Sequence, residues 1–447
     1  MVLNRPGGVS ILRDMQHIRG LLKDVEPDIV MLTGDIVDAR PFKGMDPTSF
    51  LQIFEELADV IVGSGAVWSF VPGNHDDDGG PWSRRDMLRI YQLPGCLSRQ
   101  AKTFNHTLTV GFEATSATTA SNCLRLFLFD TGGNHPDPKL RYYTVDKATV
   151  DAVVYGSHSG RFCVGGRSDR GSAAGAGTGA GSTSNDDDDD DDEMPVAVGA
   201  AAAAAAAQTT GGVPLATAWY HIPLPECKGL VPVCGANRLF DCALRAGKVP
   251  FPVMFQPFTF LVRLLGLDRV VGSSTINSGL FAALTAPNMN VRASFFGHDH
   301  HSDAVFLKNG HFMCYGRVGA HTPPSDWEGR AGDIPFDRHS ARVCEFLVGT
   351  EHQPPEVLTY VFEAGNPKKH LVVTSVENAR RCEERVAHIE RMRRCALGFF
   401  VAATVVAVLT AAVAARLLFV LLAAEEDGGM GSGMSSSSSS SSFSVEL

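Results

Sequence analysis

Short apolar runs alternate with helical patterns along most of this chain, and each run closes on glycine or polar residues. Because buried strands read as short apolar runs, this alternation predicts a buried sheet covered by helices. In such α/β sheets, ligands bind at the carboxyl ends of the strands. The predicted helices are Ile11–Val25 and Phe50–Gly63, and the predicted strands are Asp28–Leu32, Val67–Val71, Leu124–Phe129, Thr217–His221 and Val291–Phe296.

The composition is that of a folded protein without a strong excess of charge outside one run. Of the 447 residues, 44% are hydrophobic and 20% are charged, so the chain can bury a core. The net charge is −10, but eight of the negative charges lie between Asp186 and Glu193, which leaves the rest near −2. This balance counts against nucleic-acid binding. The ten cysteines form no CxxC pair, which counts against a zinc ribbon or a redox motif.

One apolar stretch near the C-terminus is long enough to cross a membrane. Ala396–Ala415 is twenty residues without a charge, which as a helix spans the roughly 30 Å of a hydrocarbon core. The alternative is a long buried core helix, but only an acidic and Gly/Ser-rich tail follows. Arg391, Arg393 and Arg394 precede the span, so the positive-inside rule predicts a single-pass protein with its large N-terminal part in the cytosol. The lone sequon at Asn105 would suit a lumenal domain instead.

Low-complexity sequence divides the rest of the chain. Gly165–Gly212 contains Gly/Ala/Ser repeats, seven consecutive aspartates and an alanine run, and Ser435–Ser442 is polyserine. Neither composition can pack a core, so both are predicted to be disordered, and deleting the first should leave the fold nearly intact. The predicted organisation is a folded domain in two parts (1–164 and 213–376), an insertion (165–212), a juxtamembrane stem (377–395), a transmembrane helix (396–424) and a tail (425–447).

Polar side chains of metal-binding type follow the predicted strands. Taken singly, an Asp after Gly is usually a turn residue and a lone His is usually a core or surface residue. Together, carboxylate and amide oxygens mixed with imidazoles suit Zn, Mn or Fe, and two such ions sharing a carboxylate suit displacement at phosphorus. These side chains are Asp35, Asp38, Asn74, His75, His221, His298 and His300.

At this point the motifs resemble a known family. Gly34-Asp35-Ile36-Val37-Asp38, Gly73-Asn74-His75-Asp76, the isolated His221 and Gly297-His298-Asp299-His300 resemble, in order, the signature series of the calcineurin-like metallophosphoesterases. The blocks at 220–226, 274–279 and 314–316 resemble the small purple-acid-phosphatase-like subgroup of plants and fungi. The resemblance implies a two-sheet α/β/β/α sandwich, here followed by the transmembrane helix. It also implies hydrolysis of phosphomonoesters, with phosphoproteins as one candidate substrate.

The resemblance also implies a role for each motif residue. Asp35 would bridge two divalent or trivalent ions (Fe, Mn or Zn), which would hold the attacking hydroxide. Asn74, His221 and His298 would complete one metal site, and His300 would serve the other. His75 would protonate the leaving oxygen, and Asp76 would hold its ring. The expected partners are a phosphorylated substrate, from the resemblance, and a membrane, through the C-terminal helix, whereas the charge balance predicts no nucleic acid.

The sequence departs from the family pattern at two points. The opening Asp-x-His, at the end of a first strand, is absent, and Asp14 and His17 lie within a helical pattern and are not counted as ligands. Either residues are missing before Met1 or two ligands of one metal are lost. Asp38 occupies the position of the metal-binding tyrosine of purple enzymes, so a tyrosinate-to-iron colour is not expected. A second hypothesis therefore stays open, in which the protein is a degenerate, membrane-tethered binding protein that lacks one metal site.

Overall fold

The computed structural model describes eleven ranges of the chain: 9–111, 123–155, 159–163, 214–235, 271–286, 289–300, 302–317, 340–347, 355–363, 366–373 and 375–428. The predicted insertion at 165–212 lies outside these residues, as does the polyserine of the tail. The chain divides into two units, Met1–Ala387 and His388–Leu447.

The described helices and strands follow the alternation that the sequence predicts. The helices are α1 (Val9–Val25), α2 (Pro47–Gly63), α3 (Lys147–Tyr155), α4 (Leu280–Leu284) and α5 (Val376–Gly428). The strands are β1 (Ile29–Leu32), β2 (Val67–Phe70), β3 (His106–Gly111), β4 (Cys123–Leu128), β5 (Ser159–Cys163), β6 (Leu215–Trp219), β7 (Val291–Phe296), β8 (Val305–Lys308), β9 (His311–Tyr315), β10 (Ser340–Leu347), β11 (Glu356–Glu363) and β12 (Asn366–Val372).

The first unit contains a seven-stranded sheet in the order β5-β3-β4-β6-β7-β9-β8. Its central strands β4, β6, β7 and β9 are parallel, so their carboxyl ends meet at one edge. Strands β1 and β2 form a separate parallel pair, and β10, β11 and β12 form an antiparallel sheet. Beside β1, a cavity of about 240 Å³ is lined by residues of α1, β1 and β10.

The layers of the first unit follow from the alternation of side chains along each strand. Ile29 and Met31 of β1 pack with Leu126 and Leu128 of the large sheet, whereas Val30 and Leu32 pack against a core built from α1 and α2. Successive side chains of a strand point to opposite faces, so β1 lies between helices and the large sheet. On the far face of the large sheet, Phe127 shares a core with residues of α3 and α4. The described part of the first unit is thus a mixed α/β fold in which β1 has α1 and α2 on one side and the large sheet on the other.

Local sequence signals explain where several elements begin and end. Helix α2 starts after Asp46, whose carboxylate accepts the N–H of Ser49, and Pro47 occupies the first turn. The predicted strand Thr217–His221 is shifted: β6 pairs with β4 from Leu215 to Trp219. His221 therefore lies two residues past the strand end, in the loop, and not on the strand.

The second unit contains the apolar part of α5. Residues 377–421 include an eighteen-residue window with a mean hydropathy of 2.4, none of which is buried. By length and composition this helix could cross a membrane, although helices of soluble proteins meet the same criteria. Its large apolar side chains face outward: Phe399 is 82% exposed and Phe419 is 74% exposed.

Candidate metal centre

Four loops that follow strands bring candidate ligands together. Asn74 Oδ1 lies 3.0 Å from His221 Nε2 and 2.9 Å from His298 Nδ1. Asp35 Oδ2 lies 3.1 Å from the same His221 Nε2. Within the described residues, Asp35, His221 and His298 are the one group of three or more His, Cys, Asp or Glu side chains whose ligand atoms all lie within 4.8 Å of one another.

Two residues of this cluster have a backbone conformation that residues other than glycine rarely adopt. Asp35 has a φ of 48° and His298 a φ of 76°, both in the left-handed region that few residues other than glycine adopt. Such backbone strain, at a cost of order 1–3 kcal/mol per residue, is typical of functional sites. Gly73 is required for the same packing, because a Cβ there would lie 2.2 Å from Asp35 Oδ1. That oxygen instead accepts the N–H of His75 at 2.8 Å.

The arrangement of lone pairs fits a cation. His221 Nδ1 lies 2.7 Å from the carbonyl oxygen of Thr33, which can only accept, so Nδ1 carries a hydrogen. Nε2, the atom left for a ligand, faces the oxygens of Asp35 and Asn74. Asp35 Oδ2 is buried and, although it is at ion-pair distance from His221, accepts no hydrogen bond of good geometry from any described group. A metal ion would satisfy His221 Nε2, Asp35 Oδ2 and Asn74 Oδ1. In metal-binding histidines the other ring nitrogen is usually held in this way by a hydrogen bond, which fixes the tautomer.

Charges within the cluster keep two of its members in their metal-binding forms. Burial opposes ionisation of Asp35, but the positive charge of His221 and its contact with the carboxylate hold the pKa of Asp35 well below the usual value. Burial and the charge of His221 lower the pKa of His298 to about 3, which leaves that ring neutral. For His221, burial is outweighed by the charge of Asp35, so its pKa is raised and a metal would have to displace its proton.

Asp76 has a different role from the predicted one. Its side chain is fully buried and its two oxygens accept four backbone N–H groups at 2.7–3.0 Å. Burial and the charge of Asp35 raise its pKa, and the N–H donors partly compensate. The prediction that Asp76 holds the ring of His75 is wrong, because its oxygens are committed to joining the two ligand loops. The donors are the backbone N–H groups of Asp35, Ile36, Val37 and Gly73.

The ring of His75 is instead partnered by Asp78. His75 Nδ1 lies 3.2 Å from Asp78 Oδ2, and the His75 side chain is 25% exposed, at the rim of the cluster. Sequence reasoning missed Asp78 because three consecutive aspartates follow His75, and nothing in the letters distinguishes them. Asp77, between the other two, is paired with Arg84, whose guanidinium also reaches Asp130.

The other sequence candidates lie apart from this group or have other partners. His300 follows β7 and is half-buried, but it does not belong to the group of Asp35, His221 and His298. The carboxylate of Asp38 accepts two hydrogen bonds from the Arg40 guanidinium, of 2.8 and 2.7 Å, and one from the Arg40 backbone N–H. Asp14 and His17 lie on α1, as the helical pattern predicts.

Part of the chain matches one protein-family model. Residues 10–156 match the family model described as calcineurin-like phosphoesterase. This match covers about a third of the chain and includes Asp35, Asn74 and His75, whereas His221 and His298 lie beyond it. A search of curated proteins finds no match.

Among solved structures, the chain is similar to the crystal structure of a dimetal phosphatase from Danio rerio. The sequence identity is 10%, the TM-score is 0.39, and the similarity covers 81% of this chain and 88% of that chain. The purple-acid-phosphatase-like subgroup stays a prediction.

Proposed function

We propose that this protein is a metal-dependent phosphoesterase that hydrolyses phosphomonoesters, with phosphoproteins as one candidate substrate. The observation that carries the proposal is the convergence of Asp35, Asn74, His221 and His298, whose ligand atoms face one another at 2.9–3.1 Å. The match of residues 10–156 to the phosphoesterase family model supports the same chemistry. Bound metal ions would activate water and neutralise charge at phosphorus.

The residues of the cluster would act as metal ligands and as a proton donor. Asp35 and Asn74 provide oxygen ligands from loops that Asp76 holds together, and His221 and His298 provide nitrogen ligands. His75 lies at the exposed rim, where it can donate a proton to the leaving oxygen, and Asp78 fixes its ring by accepting from Nδ1. This arrangement places the proton donor next to the metal ligands and in contact with solvent, from which the substrate enters.

The proposal is tested by Asp35→Asn, which keeps the shape of the side chain and removes its charge. Hydrolysis of a generic aryl phosphate should be lost, whereas Asp46→Asn should be unchanged because asparagine also caps α2. Asp46 is a matched control, since it lies in the same connection between β1 and α2 as Asp35 and its carboxylate accepts hydrogen bonds from the N–H and the hydroxyl of Ser49. Unchanged turnover of Asp35→Asn would refute the assignment.

A second candidate function is a binding protein with one metal site. It is favoured by the observation that, in the described part of the chain, a single group of ligands is assembled and His300 is not part of it. Metal analysis of the purified protein separates the two. Two ions per chain together with turnover support the enzyme, whereas one ion and no turnover support the binding protein.

We also propose that α5 anchors the protein in a membrane with the first unit in the cytosol. The support is the exposed apolar window of α5 and the three arginines that precede it. The full chain should resist alkaline extraction from membranes and the 1–395 truncation should not; release of the full chain would refute the anchor.

A further inference from the structure

A hairpin that the sequence analysis did not single out lies against the candidate metal centre. Residues 133–143, here called the 133–143 hairpin, are closed by hydrogen bonds from His135 N to Arg141 O at 2.9 Å and from Tyr143 N to Gly133 O at 3.1 Å. Asn134 and Tyr142 are partners in an antiparallel bridge, so their positions are fixed relative to each other.

Asn134 contacts the first ligand, Asn74. The Asn74 Nδ2 group donates to Asn134 Oδ1 at 3.1 Å, while Asn134 Nδ2 donates to Asp78 Oδ2 at 3.2 Å. The Asn74 amide could be turned over, which would present NH₂ instead of oxygen to the two histidines. Because Asn134 Oδ1 can only accept, it selects the orientation in which Asn74 Oδ1 faces His221 and His298.

Tyr142 contacts the second ligand, His298. The two rings meet edge to face, with centroids 4.6 Å apart and an interplanar angle of 86°. This ring-to-ring contact limits the space in which the His298 imidazole can turn. The ring of Tyr142 therefore restricts how His298 Nδ1 approaches Asn74.

The hairpin is itself anchored at both ends. At its base, Gly132 N donates to Asp130 Oδ1 at 2.8 Å, and Asp130 is held by Arg84, which also contacts the carbonyl of Gly73 in the ligand loop. At the other end, Ser274 Oγ donates to the carbonyl of Tyr142 at 3.0 Å. The contacts to both ligands are thus made by a supported element, which is what precise placement of a ligand requires.

We propose that the 133–143 hairpin positions two metal ligands, through the Asn134 amide on Asn74 and the Tyr142 ring on His298, and thereby sets the metal affinity. The inference rests on the metal centre of the proposed function. Asn134 and Tyr142 are positioning residues, since each acts through a ligand and not on the ion. Loss of such outer contacts typically costs 10- to 100-fold in metal affinity.

The test is titration calorimetry of Mn²⁺ into the metal-depleted full chain in detergent. Asn134→Ala and Tyr142→Ala should each bind about tenfold more weakly than the wild type. Tyr142→Phe should bind like the wild type, because it keeps the ring. The matched control is Tyr143→Ala, since this neighbouring tyrosine is 47% exposed and its ring lies against His135, at an interplanar angle of 52°, and not against a ligand.

The outcomes separate this inference from the proposed function. Affinities of Asn134→Ala and Tyr142→Ala within twofold of the wild type would overturn the positioning role and leave the metal centre intact. A wild type that takes up no Mn²⁺ would overturn both. Melting temperatures of the metal-free proteins identify a folding defect; if Tyr142→Ala melts early, Tyr142→Leu, which fills the space without a ring, should show the same loss of affinity.

Discussion

At the scale of single residues, the tightest steric constraint of the centre falls on Gly73. Asp35 Oδ1 occupies the place where a side chain would begin, so Gly73→Ala should displace the carboxylate and weaken Mn²⁺ binding at least tenfold. Gly63→Ala is the control, because nothing lies within 4 Å of a Cβ there. Calorimetry of the two metal-depleted variants measures the difference. Equal binding by both would mean that Asp35 does not need its present position.

A second prediction at the scale of single residues concerns proton transfer by His75 and its partner Asp78. If His75 protonates the leaving oxygen, His75→Ala should slow substrates with poor leaving groups most, because good leaving groups depart without a proton. Asp78→Ala should show the same trend to a smaller extent, since it leaves the imidazole in place and removes the partner of its Nδ1, together with the acceptor of Asn134 Nδ2. The measurement is the rate across a series of aryl phosphates. A loss that is equal for all substrates would exclude His75 as the acid.

The candidate ligands at strand ends could be predicted from the sequence, but the contacts that hold them in place could not. Asp35, Asn74, His221 and His298 were predicted because each follows an apolar run, and parallel strands end at one edge. The functions of Asp76 and Asp78 depend on how a tight loop turns. The sequence shows only a run of three aspartates, and the family resemblance assigned the ring partner of His75 to Asp76. Asn134 and Tyr142 carry no signal at all, since their contacts arise from a hairpin distant in sequence.

At the scale of elements, His311 joins two parallel strands of the large sheet. It is 1% exposed, and its Nε2 lies 2.6 Å from Ser294 Oγ and its Nδ1 3.1 Å from the carbonyl of Val291, both on β7. Burial lowers the pKa of His311 from its ordinary 6.5 to about 4. Between these values the unfolded chain binds a proton that the folded chain does not, so the free energy of unfolding falls as the pH drops from about 6.5 to about 4.

The prediction concerns how steeply the free energy of unfolding falls with pH when His311 is present and when it is replaced. His311 should contribute a loss of roughly 3 kcal/mol across that pH range, because each pKa unit corresponds to about 1.4 kcal/mol. His311→Asn cannot take up this proton, so its free energy of unfolding should depend less on pH than that of the wild type. Urea denaturation in detergent at pH 7.5, 5.5 and 4.5 provides the comparison. Parallel pH profiles would contradict a buried neutral His311.

Elements were the most predictable level of this fold. β7 coincides with its predicted strand, and α1 and β1 differ from theirs by one or two residues, because apolar patterns report burial directly. The end of β6 was misplaced since pairing with β4, a contact between distant segments, decides where that strand begins and ends. Strands β10 to β12 were not predicted, because their burial depends on contacts with β6 and β7 that no local pattern shows.

At the scale of the whole molecule, strand order changes how the insertion should be tested. β5 and β6 lie three positions apart in the sheet and run antiparallel, so Cys163 and Leu215 lie at the same end, about 14 Å apart at about 4.8 Å per strand. Outright deletion of Gly165–Gly212 leaves three linking residues, which reach barely that far when fully extended, at about 3.6 Å per residue.

Replacing Gly165–Gly212 with a linker of about eight Gly and Ser residues should therefore keep the melting temperature within a few degrees of the wild type, whereas outright deletion should lower it by pulling β5 away. Differential scanning calorimetry distinguishes the two. A large drop with the eight-residue linker would show that the insertion belongs to the fold.

The central claim is that Asp35, Asn74, His221 and His298 hold a metal ion, and anomalous diffraction from crystals of the full chain grown with Mn²⁺ tests it most directly. The account predicts an anomalous peak at about 2.0–2.2 Å from the oxygens of Asp35 and Asn74 and from the ring nitrogens of His221 and His298. At saturating Mn²⁺, a map without a peak within bonding distance of these four side chains would contradict it.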